Sequence, residues 1–143
     1  IAMRRSLGNR FTLGTWLVHA GGWMASTQWF GGDFNGDGLS DLAAVWDNGG
    51  NTTVAVYASN GQAFPGWSQW ITTAGWDPTS QWVAGDFNGD GATDLATMWN
   101  SGVNTMAMRL STRSGFSLGT WLANGGGFST SNRWVAGTFT AAP

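Results

Sequence analysis

The sequence predicts an all-β fold built from tandem four-stranded units. Three observations carry that prediction. A segment beginning Gln28-Trp29-Phe30-Gly31-Gly32-Asp33-Phe34-Asn35-Gly36-Asp37-Gly38 returns at Gln81 as QWVAGDFNGDG and, truncated, at Arg133 as RWVAGTF. The composition, with 23 Gly and 11 Trp beside only 10% charged residues, suits short strands and tight turns better than helices. Aromatic and β-branched runs are separated by clusters of Gly, Asn and Asp, which accept the backbone angles of turns at little cost.

The elements follow in chain order. Residues 1–27 read as the end of one repeat. Ala2-Met3-Arg4 matches Ala107-Met108-Arg109, and Phe11-Thr12-Leu13-Gly14-Thr15-Trp16-Leu17 returns at Phe116 as FSLGTWL. Residues 28–80 form a full repeat, 81–132 a second and 133–143 a partial third, all within a single repeat domain. In the second copy, strands are expected over 81–87, 93–99, 105–111 and 116–122. In the third of these, Met106 and Met108 alternate with Ala107 and Arg109, the period of two that a strand requires. Asn48-Gly49-Gly50-Asn51 and Ser59-Asn60-Gly61 are hairpin-turn sequences.

Four strands in about 50 residues is the period of a β-propeller blade. The chain supplies fewer than three such blades, whereas a closed ring takes about four to eight. Unclosed, the end blades expose apolar faces and free edges. Completion of the ring by self-association, as a homo-oligomer, is therefore expected, or continuation of the array in a longer chain. A closed barrel or sandwich is the alternative.

Several functions are disfavoured. Net charge is −2 and the six basic residues form no stripe, so nucleic acid is not an expected partner. No run of 18 apolar residues predicts a membrane span. The absence of Cys removes any disulfide framework and leaves the redox compartment open. Catalysis is not expected. There is no Cys or Lys nucleophile, and the one histidine, His19, has no repeat equivalent from which to build a triad. The arginines read as surface solubilisers.

The strongest chemical signal is a loop, Asp33-x-Asn35-x-Asp37-Gly38-x-x-Asp41, repeated as Asp86-x-Asn88-x-Asp90-Gly91-x-x-Asp94. It collects hard oxygen donors, the ligands calcium prefers. Asp33, Asn35 and Asp37 have the spacing of the first three EF-hand ligands. The carbonyl of Leu39 would supply a backbone ligand and Asp41 the closing carboxylate. Asp86, Asn88, Asp90, Ala92 and Asp94 repeat the set. The EF-hand's closing Glu is missing, and strands rather than helices flank the loop, so a strand-loop-strand site is expected. Six of the eight Asp residues lie in these two loops. The third copy has lost the ligands, so two calcium sites are expected.

The W-V-A-G-D-F-N-G-D-G-x-x-D-L-A pattern resembles the FG-GAP or VCBS-type repeat, which is found in integrin α-subunit propellers, secreted bacterial enzymes and fungal lectins. The resemblance implies a β-propeller, calcium between the first two strands of each blade, and an extracellular, secreted location. It names no ligand.

The tryptophans fall into repeat-related families. Trp29, Trp82 and Trp134 precede the loop, Trp46 and Trp99 end the second strand, and Trp16, Trp70 and Trp121 lie in the fourth. These are read as packing residues. Trp23, Trp76 and Phe128 follow Gly-rich turns, where a ring at a blade rim can lie flat against a sugar. His19, Asp77 and Asn124 are the neighbouring polar candidates. The sequence therefore points to a calcium-stabilised, lectin-like module that binds glycans, the alternative being a non-catalytic adhesion or accessory module of a secreted protein.

Overall fold

The computed structural model describes residues 2–6, 11–15, 24–100, 102–124, 134 and 136. Ten strands are present among them: β1 (Ala2–Ser6), β2 (Phe11–Thr15), β3 (Gln28–Gly32), β4 (Asp41–Asp47), β5 (Asn51–Tyr57), β6 (Ser68–Ala74), β7 (Gln81–Gly85), β8 (Asp94–Asn100), β9 (Asn104–Ser111) and β10 (Phe116–Asn124). Strands β3 to β6 form one antiparallel four-stranded sheet in sequence order, and β7 to β10 form a second. Each expected four-stranded unit is present. The partial third repeat, 133–143, falls almost wholly outside the described residues.

Register confirms the repeat residue by residue. Trp29 faces Ala44 across β3 and β4, and Trp82 faces Thr97 across β7 and β8. The β1–β2 hairpin pairs Ala2 with Thr15 and Ser6 with Phe11. This is the register of Ala107 with Thr120 and Ser111 with Phe116 in β9 and β10. The β4–β5 turn closes with mutual Asn48 and Asn51 backbone bonds of 2.8 and 3.3 Å. Gly49 and Gly50 sit at φ of 63° and 85°, a two-residue turn that only such residues enter without strain.

The ladders also show where the fourth-strand tryptophans sit. Pairing slips between Val54 and Ala55 opposite Trp70, and between Thr120 and Leu122 around Trp121, so each ring rides on a β-bulge. Trp70 packs on Phe116 of the second sheet at 5.0 Å, whereas Trp121 is 51% exposed. The shared sequence position therefore does not give a shared packing role.

The two sheets stack face to face. One core joins Phe34, Ala43, Val45, Val54 and Val56 of the first unit to Trp82 and Leu95 of the second, with Trp70, Trp76 and Phe116 against it. The outer face of the first sheet has its own core of Ala44, Tyr57 and Phe64, and that of the second has Ala96, Met98 and Met108. Central strands are therefore covered on both faces. Met108 and Arg109, neighbours on opposite faces of β9, are both buried, so the period-two pattern there does not separate a wet face from a dry one.

Strand β3 lies beside β7. The Thr93 amide donates to the Asp33 carbonyl at 2.7 Å, and the Ser111 hydroxyl to the Phe34 carbonyl at 2.6 Å. A Cβ on Gly32 would lie 2.5 to 2.8 Å from the Thr93 side chain, so close approach of the units explains glycine there. Ala136, the third-copy counterpart of Ala84, comes close to Gly85 in turn.

Candidate functional site

The two Asp loops adopt the same conformation. Asp33 follows β3, and its carboxylate accepts the amides of Gly36 (2.7 Å), Asp37 (3.0 Å) and Gly38 (2.8 Å). Asp86 does the same with Gly89, Asp90 and Gly91. Asn35 and Asn88 accept the amides of Asp37 and Asp90 and donate back to those carboxylates at 2.9 Å. The Leu39 and Ala92 amides cap Asp37 and Asp90 at 2.8 Å. Gly36, Gly38, Gly89 and Gly91 all hold φ between 73° and 86°, which turns successive amides inward.

Asp41 and Asp94 stand apart from the other loop acids. Each begins a strand and is buried. Asp94 accepts the amides of Phe87 (3.0 Å) and Ser111 (2.7 Å), and Asp41 those of Phe34, Asn35 and Ser59. They tie the loop to the third strand of the same unit. Burial raises the affinity of both carboxylates for a proton, and these amide bonds only partly offset it. Asp90, exposed and capped by Ala92, is shifted down.

The donor chemistry of each loop suits a hard cation: three carboxylates, an amide oxygen and a carbonyl. Among the described residues, however, no three acidic, His or Cys side chains converge closely enough to hold a metal. Asn35 turns its NH2 toward Asp37, and Asp41 faces the backbone. Closing the loop on an ion would therefore require side-chain rearrangement.

Arg113 joins the loops. Its guanidinium donates to the Gly36 carbonyl (3.3 Å) and the Asp90 carbonyl (2.9 Å). Its φ of 68° is left-handed, as is that of its counterpart Gly61, at 80°. A non-glycine residue there costs about 1–2 kcal/mol of backbone strain.

A second feature lies between the sheets. A cavity of about 230 Å³ is lined by the β6–β7 link at Gly75, Trp76, Asp77 and Ser80, by Thr52 and Thr73, and by Trp82, Thr97, Trp99 and Arg109 from the second sheet. The link is held by Thr52 donating to the Gly75 carbonyl (2.6 Å) and by Thr79 donating to the Asp77 carboxylate. A neighbouring cavity of about 400 Å³ shares Thr73, Ala74, Trp99 and Arg109.

Arg109 is 6% exposed. It lies 4.4 Å over the Trp82 ring and reaches the Thr73 hydroxyl at 3.4 Å, while its Nε and Nη1 have no hydrogen-bond partner among the described residues. Burial lowers its pKa to about 10, which leaves it charged at neutral pH. Each buried nitrogen without an acceptor costs about 1–3 kcal/mol, and stacking on an indole returns about 2 kcal/mol.

Residues 33–97 match the family model described as an FG-GAP-like repeat. Over this segment the chain is similar to an FG-GAP-like repeat. The match begins on the first residue of one Asp loop and runs past the last residue of the next, so it spans both loops and the strands between them. No curated protein and no solved structure matches the chain.

With both loops and the cavities placed, the expected ligand residues separate. Trp76 and Asp77 do line one cavity. Trp23, His19 and Phe128 lie outside the described residues. Asn124 ends β10, in backbone register with Asn104. Sequence reasoning assigned Trp99 to packing, but it lines both cavities. Arg109, read from the sequence as a surface residue, is buried. Its signal was available: the FG-GAP unit before it places Tyr57 there, stacked between Trp29 and Trp67 at 5.8 and 6.3 Å.

Proposed function

We propose that these FG-GAP units form a β-propeller-type, calcium-stabilised carbohydrate-binding module, with glycan bound in the cleft between sheets at Trp76. The observation that carries the reading is the cleft itself. Trp76 and Trp99 supply flat apolar surface, while Asp77, Thr73 and Thr97 supply polar groups for ring hydroxyls. In the proposed calcium role, Asp33, Asn35, Asp37, the Leu39 carbonyl and Asp41 hold one ion, and Asp86, Asn88, Asp90, the Ala92 carbonyl and Asp94 a second. Calcium would neutralise the acids and brace each loop, leaving the glycan to be bound by the chain. Asp41 and Asp94, buried with no ion pair among the described residues, support this role. Self-association completing a ring would repeat the cleft and raise avidity, in keeping with an extracellular setting.

A glycan array followed by calorimetry on the full chain tests the reading. Trp76→Ala should abolish binding with the fold intact by circular dichroism. A folded wild-type chain that binds no glycan would reject it in favour of a protein-adhesion or accessory module.

A further inference from the structure

We propose that the cleft is selective for a carboxylate-bearing sugar of the hexuronate type, with Arg109 as its anion-binding residue. This rests on the glycan reading of the cleft and assigns the ligand class. The guanidinium is more than nine-tenths buried and lines both cavities, and two of its nitrogens have no acceptor. A guanidinium fork matches a carboxylate in two parallel hydrogen bonds, which are stronger than neutral ones. Thr73, to which Nη2 donates, lines the same two cavities, so a carboxylate seated there meets the guanidinium.

The fold does not need a cation at this position. The preceding unit fills it with Tyr57 between two indoles, an apolar solution to the same packing problem. Replacing that ring by an arginine buries a charge with no carboxylate of this chain's described residues to meet it. Asp77, on the opposite wall, bonds to Thr79 instead. A ligand carrying one carboxylate and several hydroxyls satisfies both walls: the anion at Arg109, the hydroxyls at Asp77 and the ring on Trp76. The 230 Å³ volume is enough for one sugar ring. An acidic peptide would satisfy Arg109 but would leave Asp77 facing another acid.

The test is calorimetry of the full chain with galacturonate, galactose, acetate and an oligoglutamate peptide, on wild type and on Arg109→Tyr, which installs the residue of the preceding unit. Galacturonate is expected to bind about ten-fold or more tighter than galactose, and the preference to vanish in Arg109→Tyr. Arg109→Lys, should the Tyr variant not fold, is expected to keep only part of the preference, because it retains charge without the fork. Equal affinity of wild type for the two sugars would overturn the proposal, as would a preference that survives in a folded Arg109→Tyr. Acetate binding that depends on Arg109 while neither sugar binds would overturn the glycan reading and the hexuronate assignment together. Oligoglutamate bound more tightly than galacturonate would replace the sugar by an acidic peptide.

Discussion

Replacing Asp94 by Asn tests the claim that a buried carboxylate, not the loop sequence as such, fastens the Asp loop to its sheet. Asp94 is fully buried and accepts two backbone amides, Phe87 at 3.0 Å and Ser111 at 2.7 Å, on different oxygens. An amide of the same shape can accept only one of them. The other backbone N–H then faces an NH2 group, which costs about 1–3 kcal/mol for the unsatisfied donor and about 1.5–3 kcal/mol for the lost charge-assisted bond. Because burial outweighs the amide bonds at Asp94, losing the charge relieves that penalty, and the net loss is that of the unsatisfied donor, about 1–3 kcal/mol. In a chain of this size that lowers the melting temperature by about 3–12 °C. Tryptophan fluorescence during thermal and urea unfolding in EGTA reads the change, with the exposed Asp90→Asn as control, expected to lose less than Asp94→Asn without calcium. If Asp94→Asn falls within 0.5 kcal/mol of wild type, the clamp argument is wrong, since about 1 kcal/mol is the least that a buried unsatisfied amide costs.

Four further outcomes are expected. In EGTA, stability should fall as pH rises from the usual Asp value of 3.8 through the raised folded values of Asp41 and Asp94, because an acid whose folded pKa is raised stabilises the fold only while protonated. Asp90 acts with the opposite sign, losing its contribution as pH falls through its lowered value, and the Asp41→Asn/Asp94→Asn double variant should flatten the first slope in a melting series across pH 3–7. Calcium at a hundredfold over its dissociation constant should add about 2.7 kcal/mol per site and chelation should remove it, while light scattering with and without calcium should show two or more subunits if the ring closes by assembly. Arg113→Ala should lose about 1–2 kcal/mol with the two bridging bonds, and Arg113→Gly about 1 kcal/mol less than that because it relieves the left-handed strain; equal losses in chemical denaturation would refute the strain. Gly32→Ala should cost about 1–3 kcal/mol by meeting Thr93, whereas Gly31→Ala, whose added Cβ would lie 4.0 Å from the Asp41 carbonyl, should be tolerated in the same assay.

The strands, their order and the loops could be read from residues because the signals are local. A turn needs left-handed backbone, and Asn48-Gly49-Gly50-Asn51 offers it. The loop's Asp and Asn spacing dictates which amides the side chains can reach, and the repeat carries register from one unit to the next, down to Ser6 and Phe11 in the opening hairpin. What lies beyond one sheet was not legible. Trp70 and Trp121 share a position, yet only Trp70 has Phe116 to lie against. Tyr57 and Arg109 share another, yet only the facing Trp82 and the cavity at Thr73 make the arginine a buried charge. Arg113 looks like any turn residue until the second loop comes within reach of its fork. Pattern and turn chemistry act over a few residues and are written in the chain. Burial depends on which surface of a neighbouring sheet arrives at each face, and only the packed units decide that.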